Sequence, residues 1–174
     1  YEQEMHRLAE ISANVARIQV DHLVAVHAFQ IDSGIYVLEM EWIDGFDLLH
    51  ILRRETLEIV HDAVSPARFA NINERVITTG EVDCRLKPGM AVAILRECLV
   101  GIAALHRGGI VHCDLKPSNV MVKRTGQVKI IDFGSAYWIG RPPATQPCTL
   151  EYAAPEILAG QRATPQSDLA SLGY

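Results

Sequence analysis

Between Gly108 and Val122 the chain reads GGIVHCDLKPSNVMV, and within it His112, Asp114, Lys116, Ser118 and Asn119 crowd five polar side chains into eight positions. A second acid, Asp132, stands directly after the apolar run VKII. Both acids fall at the ends of strand-like stretches, where a fixed backbone projects a side chain into a cleft. One carboxylate together with the amide oxygen of Asn119 makes a hard, oxygen-only cation site, which suits magnesium with bound phosphates. A second carboxylate beside Lys116 suits the positioning of a hydroxyl nucleophile next to a transferring phosphoryl group. Asp, Ser and Asn also favour turns for their own sake, so any one of them alone reads as a turn residue. Their joint order and spacing is what points to chemistry.

The elements that must position these groups follow from periodicity. From Glu4 to Ile18, apolar residues at Met5, Leu8, Ile11, Val15 and Ile18 have helical spacing. HLVAVHAF and IYVLEMEW, residues 22–29 and 35–42, read as strands joined by the turn QIDSG. GFDLLHILRRE begins a short helix, and residues 56–87 lack a sustained period, which predicts an insertion with one short helix. Pro88 opens a strongly apolar helix that Gly108 and Gly109 end, and its character predicts burial on most sides. Short strands are expected at Ile110–Val111, Val120–Val122 and Val128–Ile131, the last two joined through KRTGQ. Small helices are expected near PEILAG and from about Ser167.

Composition narrows the functional class. With 174 residues, 16 basic and 21 acidic, the chain has a formal charge of −5, which argues against a nucleic-acid surface. Cys84, Cys98, Cys113 and Cys148 show no close pair, so they read as reduced thiols of a cytoplasmic protein rather than a zinc site. MAVAILRECLVGIAAL, interrupted by Arg96 and Glu97, is read as too short to cross a bilayer, and no other stretch predicts membrane contact.

HCDLKPSN, DFG at Asp132–Gly134, TLEYAAPE and SDLASLG occur in this order, and together they resemble the catalytic loop, magnesium loop, Ala-Pro-Glu motif and following helix of the serine/threonine protein kinases. The resemblance implies an α+β, protein-kinase-like fold: a partial N-lobe and hinge over 1–43 (a helix plus a two-stranded hairpin) and a partial, mainly helical C-lobe over 44–174. ATP and Mg2+ are the implied cofactors, and protein hydroxyls the implied acceptors. Asp114 would orient and deprotonate the acceptor, Lys116 would neutralise the γ-phosphoryl group, and Asn119 and Asp132 would ligate magnesium. Thr149, five residues before Ala154, would contact the Asp and Lys of the catalytic loop, favouring serine/threonine over tyrosine acceptors. LEMEWIDGFDL resembles the hinge: Met40 as gatekeeper, the backbone of Glu41, Trp42 and Ile43 on adenine, Asp47 on ribose, with Met121 as the apolar floor. His112 and Phe133 would form an apolar column between the lobes, and Asp168 would cap backbone amides of the catalytic loop.

Three departures accompany the match. Cys113 replaces the arginine that in the family grips a phosphorylated activation segment, so phosphorylation between Phe133 and Glu156 is not expected to switch the protein by that route. The Gly-rich loop and strand lysine lie nowhere in these residues, and the helix glutamate that would pair with that lysine is Glu4 or Glu10. The chain opens on Tyr1 and stops at SDLASLGY inside an apolar pattern, so it reads as a fragment, inactive alone, of an active enzyme. A pseudokinase, a scaffold or binding module without catalysis, is the alternative.

Overall fold

A computed structural model describes residues 2–79, 84–144 and 146–174; residues 80–83, inside the expected insertion, lie outside the described residues. Helix α1 (Glu2–Val15) turns Ile11, Ser12 and Val15 into the interior. It stops short of Ile18 because Arg17 and Ile18 donate to Asn14 and Val15, so its end tightens into i→i+3 bonds. Strands β1 (Val26–Asp32) and β2 (Ile35–Met40) form the expected hairpin. Ser33 and Gly34 make its turn at φ of 50° and 81°, the paired positive values that match strand twist.

His22–Val24, the first part of the expected strand, does not belong to that hairpin. Leu23 and Val24 are consecutive and both buried, whereas a strand with one face in the core alternates. Both pack beside the later strand VKI instead: the amide of Val24 donates to Ile130, and that of Ile130 donates to His22, each at 2.9 Å.

After the hinge, β3 (Gly45–Asp47) leads into α2 (Leu48–Ile51). The expected insertion is more structured than its sequence predicts. Helices α3 (Arg54–Ala63) and α4 (Pro66–Arg75) are followed by a hairpin of β4 (Ile77–Thr79) and β5 (Cys84–Leu86). Leu57, Ile77 and Cys84 form a separate small core there, with Ile51, Ile72 and Val76 against it. The start of α4 is written locally: Ser65 accepts from the amide of Arg68 and Pro66 stands at the first turn.

Helix α5 (Pro88–Arg107) runs the length expected. The whole helix, at twenty residues, is long and apolar enough to cross a membrane by length and composition alone, a test that core helices also pass. Its burial differs from expectation. Ile94, Cys98, Ile102 and Leu105 face the main core, while Val92, Leu95, Leu99 and Val100 are exposed, because the described elements pack on one side only.

Strand β6 (Ile110–Val111), β7 (Val120–Lys123), β8 (Val128–Ile130) and β9 (Tyr137–Trp138) then alternate with polar loops. β3, β7 and β8 form one antiparallel sheet in that order, and β6 pairs with β9. Gly45 is required at the β3–β7 contact, since a Cβ there would stand 2.2 Å from the carbonyl oxygen of Val122. Glu97 of α5 accepts from the amide of Val128 at 2.7 Å and so fixes where β8 begins. Helices α6 (Pro155–Leu158) and α7 (Pro165–Gly173) complete the chain, α7 opening on a reciprocal Thr164–Ser167 cap. The main core joins α1, α5, β6, β7 and β8 through Ile11, Leu23, Ile102, Leu105, Ile110 and Ile130.

Candidate active site

Strand β6 delivers the polar loop. Its two residues are fully buried, and the chain leaves it through a bend in which Cys113 has a φ of 70°. A bend of that hand strains a non-glycine residue, so something must hold it. Asp168 of α7, 1% exposed, does so by accepting from the amides of His112 at 2.8 Å and Cys113 at 2.9 Å. His106 at the end of α5 contacts the same carboxylate at 2.8 Å. His112 is fully buried; its Nε2 lies 3.1 Å from the carbonyl of Ile131, which can only accept, so that nitrogen carries the proton. Its ring meets Phe133 edge-on at 5.6 Å between centroids, a packing contact between the two loops.

Beyond the bend, three side chains close a triangle. Lys116 Nζ donates to Asp114 Oδ2 at 2.6 Å and to Thr149 Oγ1 at 3.0 Å, while Thr149 Oγ1 donates to Asp114 Oδ1 at 2.7 Å. Residues 33 and 35 apart in sequence are therefore brought to one point. Asn119, 4% exposed, ties this point to the next loop. Its Nδ2 donates to the backbone carbonyl of Asp114 at 2.8 Å, and its own carbonyl accepts from the amide of Ile131 at 3.0 Å. Asp132 follows at once, with a φ of 64° and its Oδ1 accepting from the amide of Gly134 at 3.0 Å.

A cavity of about 720 Å³ opens beside Asp132. Met40, Glu41, Trp42, Ile43, Met121 and Asp132 line it, together with Phe133, expected as part of an apolar column, and with Leu8, Val24, Val26, Leu38 and Ile131, to which the sequence assigned no site role. Its lining is mainly apolar with a few convergent polar groups, the usual make-up of a small-molecule site. Trp42 is 90% exposed at the mouth.

Asp47 stands apart from this lining. Its carboxylate caps α2 by accepting from the amide of His50 at 2.9 Å, and it contacts His50 Nδ1 at 2.6 Å. Neither Glu4 nor Glu10 lines the cavity; α1 contributes Leu8 there, Glu4 is exposed, and Glu10 contacts His6 at 3.5 Å. Asp114 likewise lies off the cavity, against a small cleft shared with Thr149, Cys148 and Ile157.

The hinge is fastened from behind. Lys129 of β8, 6% exposed, donates to Glu41 Oε1 at 2.5 Å and to the carbonyl of Leu23 at 3.2 Å. Burial alone raises the Glu41 carboxyl, but the bonds from Lys129 and from the amide of Ala25 outweigh it and hold the group below the usual carboxylate range. Burial, reinforced by Asp168, pushes the Cys113 thiol well up. The sequence signal for the Glu41–Lys129 pair was a lysine inside the apolar run VKII, since a buried cation needs a partner.

Asn119 and Asp132 carry the donor chemistry that a hard cation would need, although only Asp132 is among the residues lining the cavity. The amide nitrogen of Asn119 is engaged by Asp114, which leaves its side-chain oxygen as the free donor atom. Together with the carboxylate of Asp132 this is an oxygen-only set suited to magnesium.

The family model described as "Protein kinase domain" matches residues 2–174, and the chain belongs to that family. It is 36% identical over 143 residues to the zebrafish (Danio rerio) striated muscle preferentially expressed protein kinase, covering 75% of this chain and 5% of that protein. It is 27% identical over 176 residues to the probable serine/threonine-protein kinase pknA2 of Bifidobacterium longum, covering 99% of this chain and 20% of that one. Against the serine/threonine-protein kinase PknA of Mycobacterium tuberculosis the figure is 41% over 93 residues, 51% of this chain and 22% of that protein. The matched part of the chain spans less than a quarter of the length of each of these relatives.

Proposed function

We propose that this chain carries the catalytic loop and nucleotide cavity of a serine/threonine protein kinase, which transfers the γ-phosphoryl group of ATP to protein hydroxyls in a magnesium-dependent reaction in the cytoplasm. The observation that carries the reading is the Asp114–Lys116–Thr149 triangle, linked through Asn119 to Asp132. Asp114 orients the acceptor hydroxyl and takes its proton, Thr149 keeps that carboxylate aimed, and Lys116 offers positive charge to the transferring group. Asn119 and Asp132 hold the cation, which when bound offsets phosphate charge. Met121 and Ile131 provide apolar contact for the base, and the Glu41–Ile43 backbone supplies its polar contacts. Preference for serine and threonine is supported by Thr149, by Lys116 and by the names of the bacterial relatives.

A second reading, a nucleotide-binding scaffold without catalysis, is favoured by one observation: α1 presents Leu8, not a glutamate, to the cavity. One experiment separates the two. The full-length protein is incubated with γ-labelled ATP, magnesium and a generic protein substrate, and transfer is compared with that of Asp114→Asn. The kinase reading expects label on serine and threonine, falling by about 10²-fold or more in the variant, the scale of a lost general base. Transfer that survives the substitution overturns the role of Asp114, and its absence from both forms leaves the scaffold.

A further inference from the structure

Cys113 cannot grip a phosphate, yet the segment that a guanidinium at this position would organise is well ordered by bonding. The amide of Ala136 donates to Phe133, β9 pairs with β6, and the amide of Ile139 donates to Gly109 at 2.7 Å. One charged side chain also reaches this segment, and it comes from α1. Arg7 donates through Nη1 to the carbonyl of Ala136 and through Nη2 to the carbonyl of Gly134 at 3.0 Å, across 129 and 127 residues of sequence. Arg7 makes no ion pair among the described residues, and its Nε is buried without a partner. The guanidinium is held there by two carbonyls alone. Its charge also acts on the Cys113 thiol, against the effect of burial.

We propose that Arg7 is a positioning residue that fixes the start of the activation segment, Gly134–Trp138, from α1, in place of the phosphate-dependent grip that Cys113 cannot provide. The inference deepens the kinase reading and rests on it for its consequence in turnover. Two fixed carbonyls can accept from a forked guanidinium as two phosphate oxygens do, with less charge but with no need of a modifying enzyme. The Asp132–Gly134 turn then follows the position of α1, not the phosphorylation of the residues beyond it.

The test is hydrogen exchange on the full-length protein, followed amide by amide at Ala136, Tyr137, Trp138 and Ile139. Charge-assisted bonds of this kind correspond to about ten- to a hundredfold in an opening equilibrium. Arg7→Ala is therefore expected to speed exchange at these amides by about that factor, while α5 keeps its protection. If α1 itself loses protection in that variant, Arg7→Gln decides, since it keeps helix propensity while removing the forked charge. Wild-type protection at all four amides in a variant whose α1 is intact overturns the proposal. In turnover, Arg7→Ala is expected to lower kcat with the KM for ATP changed by less than about twofold, because the nucleotide lining is untouched. Phosphatase treatment of the wild type is expected to leave kcat unchanged; a kcat that collapses on treatment overturns the proposal. A protein that transfers no phosphate at all refutes the kinase reading, and the exchange result still decides the role of Arg7.

Discussion

Replacing Lys129 by Met removes the cation that fastens the hinge. Lys129 is 6% exposed and makes two bonds, one to Glu41 Oε1 at 2.5 Å and one to the carbonyl of Leu23 at 3.2 Å. Methionine fills similar space but leaves the carboxylate in place. Deleting one member of a fully buried ion pair costs about 3–5 kcal/mol. Here Glu41 keeps its bond from the amide of Ala25 at 2.8 Å, and its side chain is 22% exposed, so water can reach it. The expected cost therefore falls at or below the bottom of that scale, about 2–3 kcal/mol. For a domain of this size that corresponds to about 4–12 °C in Tm. Adding Glu41→Leu to Lys129→Met should recover most of the loss, because an apolar pair carries no desolvation penalty. The pH dependence has a definite sign. Glu41 is depressed in the folded state, so its contribution is present above the unfolded carboxyl value and lost as pH falls through the folded one. The gap between wild type and Lys129→Met should therefore narrow as the solution is acidified. Thermal unfolding of the full-length protein across pH, followed by circular dichroism, measures it. A Lys129→Met protein as stable as wild type at neutral pH refutes the reasoning.

Gly45→Ala should destabilise by about 1–3 kcal/mol and weaken nucleotide binding, since its Cβ would collide with the Val122 carbonyl at 2.2 Å and the Lys123 Cα at 2.8 Å, both backbone. A variant with wild-type Tm and nucleotide affinity would mean that β3 and β7 do not approach so closely. Burial pushes the Cys98 thiol up to about 12 and raises that of Cys113 as well, so native-state alkylation at mildly alkaline pH should leave both unmodified under conditions that label them once unfolded. Peptide mass mapping reads the outcome, and rapid labelling of Cys113 in the folded protein would contradict it.

How much was legible depends on how far apart the partners lie. Asp114, Lys116 and Asn119 fall within six positions, and the bonds among them are local, so the spacing of HCDLKPSN already carries the cluster. α5 was readable for the same reason, its proline start and double-glycine end being local marks. Its burial was not, because exposure of Val92 and Leu99 depends on which elements lie alongside. The insertion was under-read because its small core draws on Leu57, Ile77 and Cys84, too sparse to make a period, although Ser65–Pro66 marked a helix start. His22–Val24 fitted a strand pattern, but its partner is β8, more than a hundred residues away. Arg7 left no local sign, since nothing in EMHRLAE distinguishes a tether from a solvated arginine.

The central proposal is that Asn119 and Asp132 together hold a magnesium ion beside a nucleotide bound in the cavity that Asp132 lines. Its most direct measurement is the calorimetric affinity of the full-length protein for ATP, with magnesium and with excess chelator, in wild type and in Asp132→Asn. The account predicts tighter binding with magnesium in the wild type and loss of that difference in the variant. An equal magnesium effect in both proteins would contradict it.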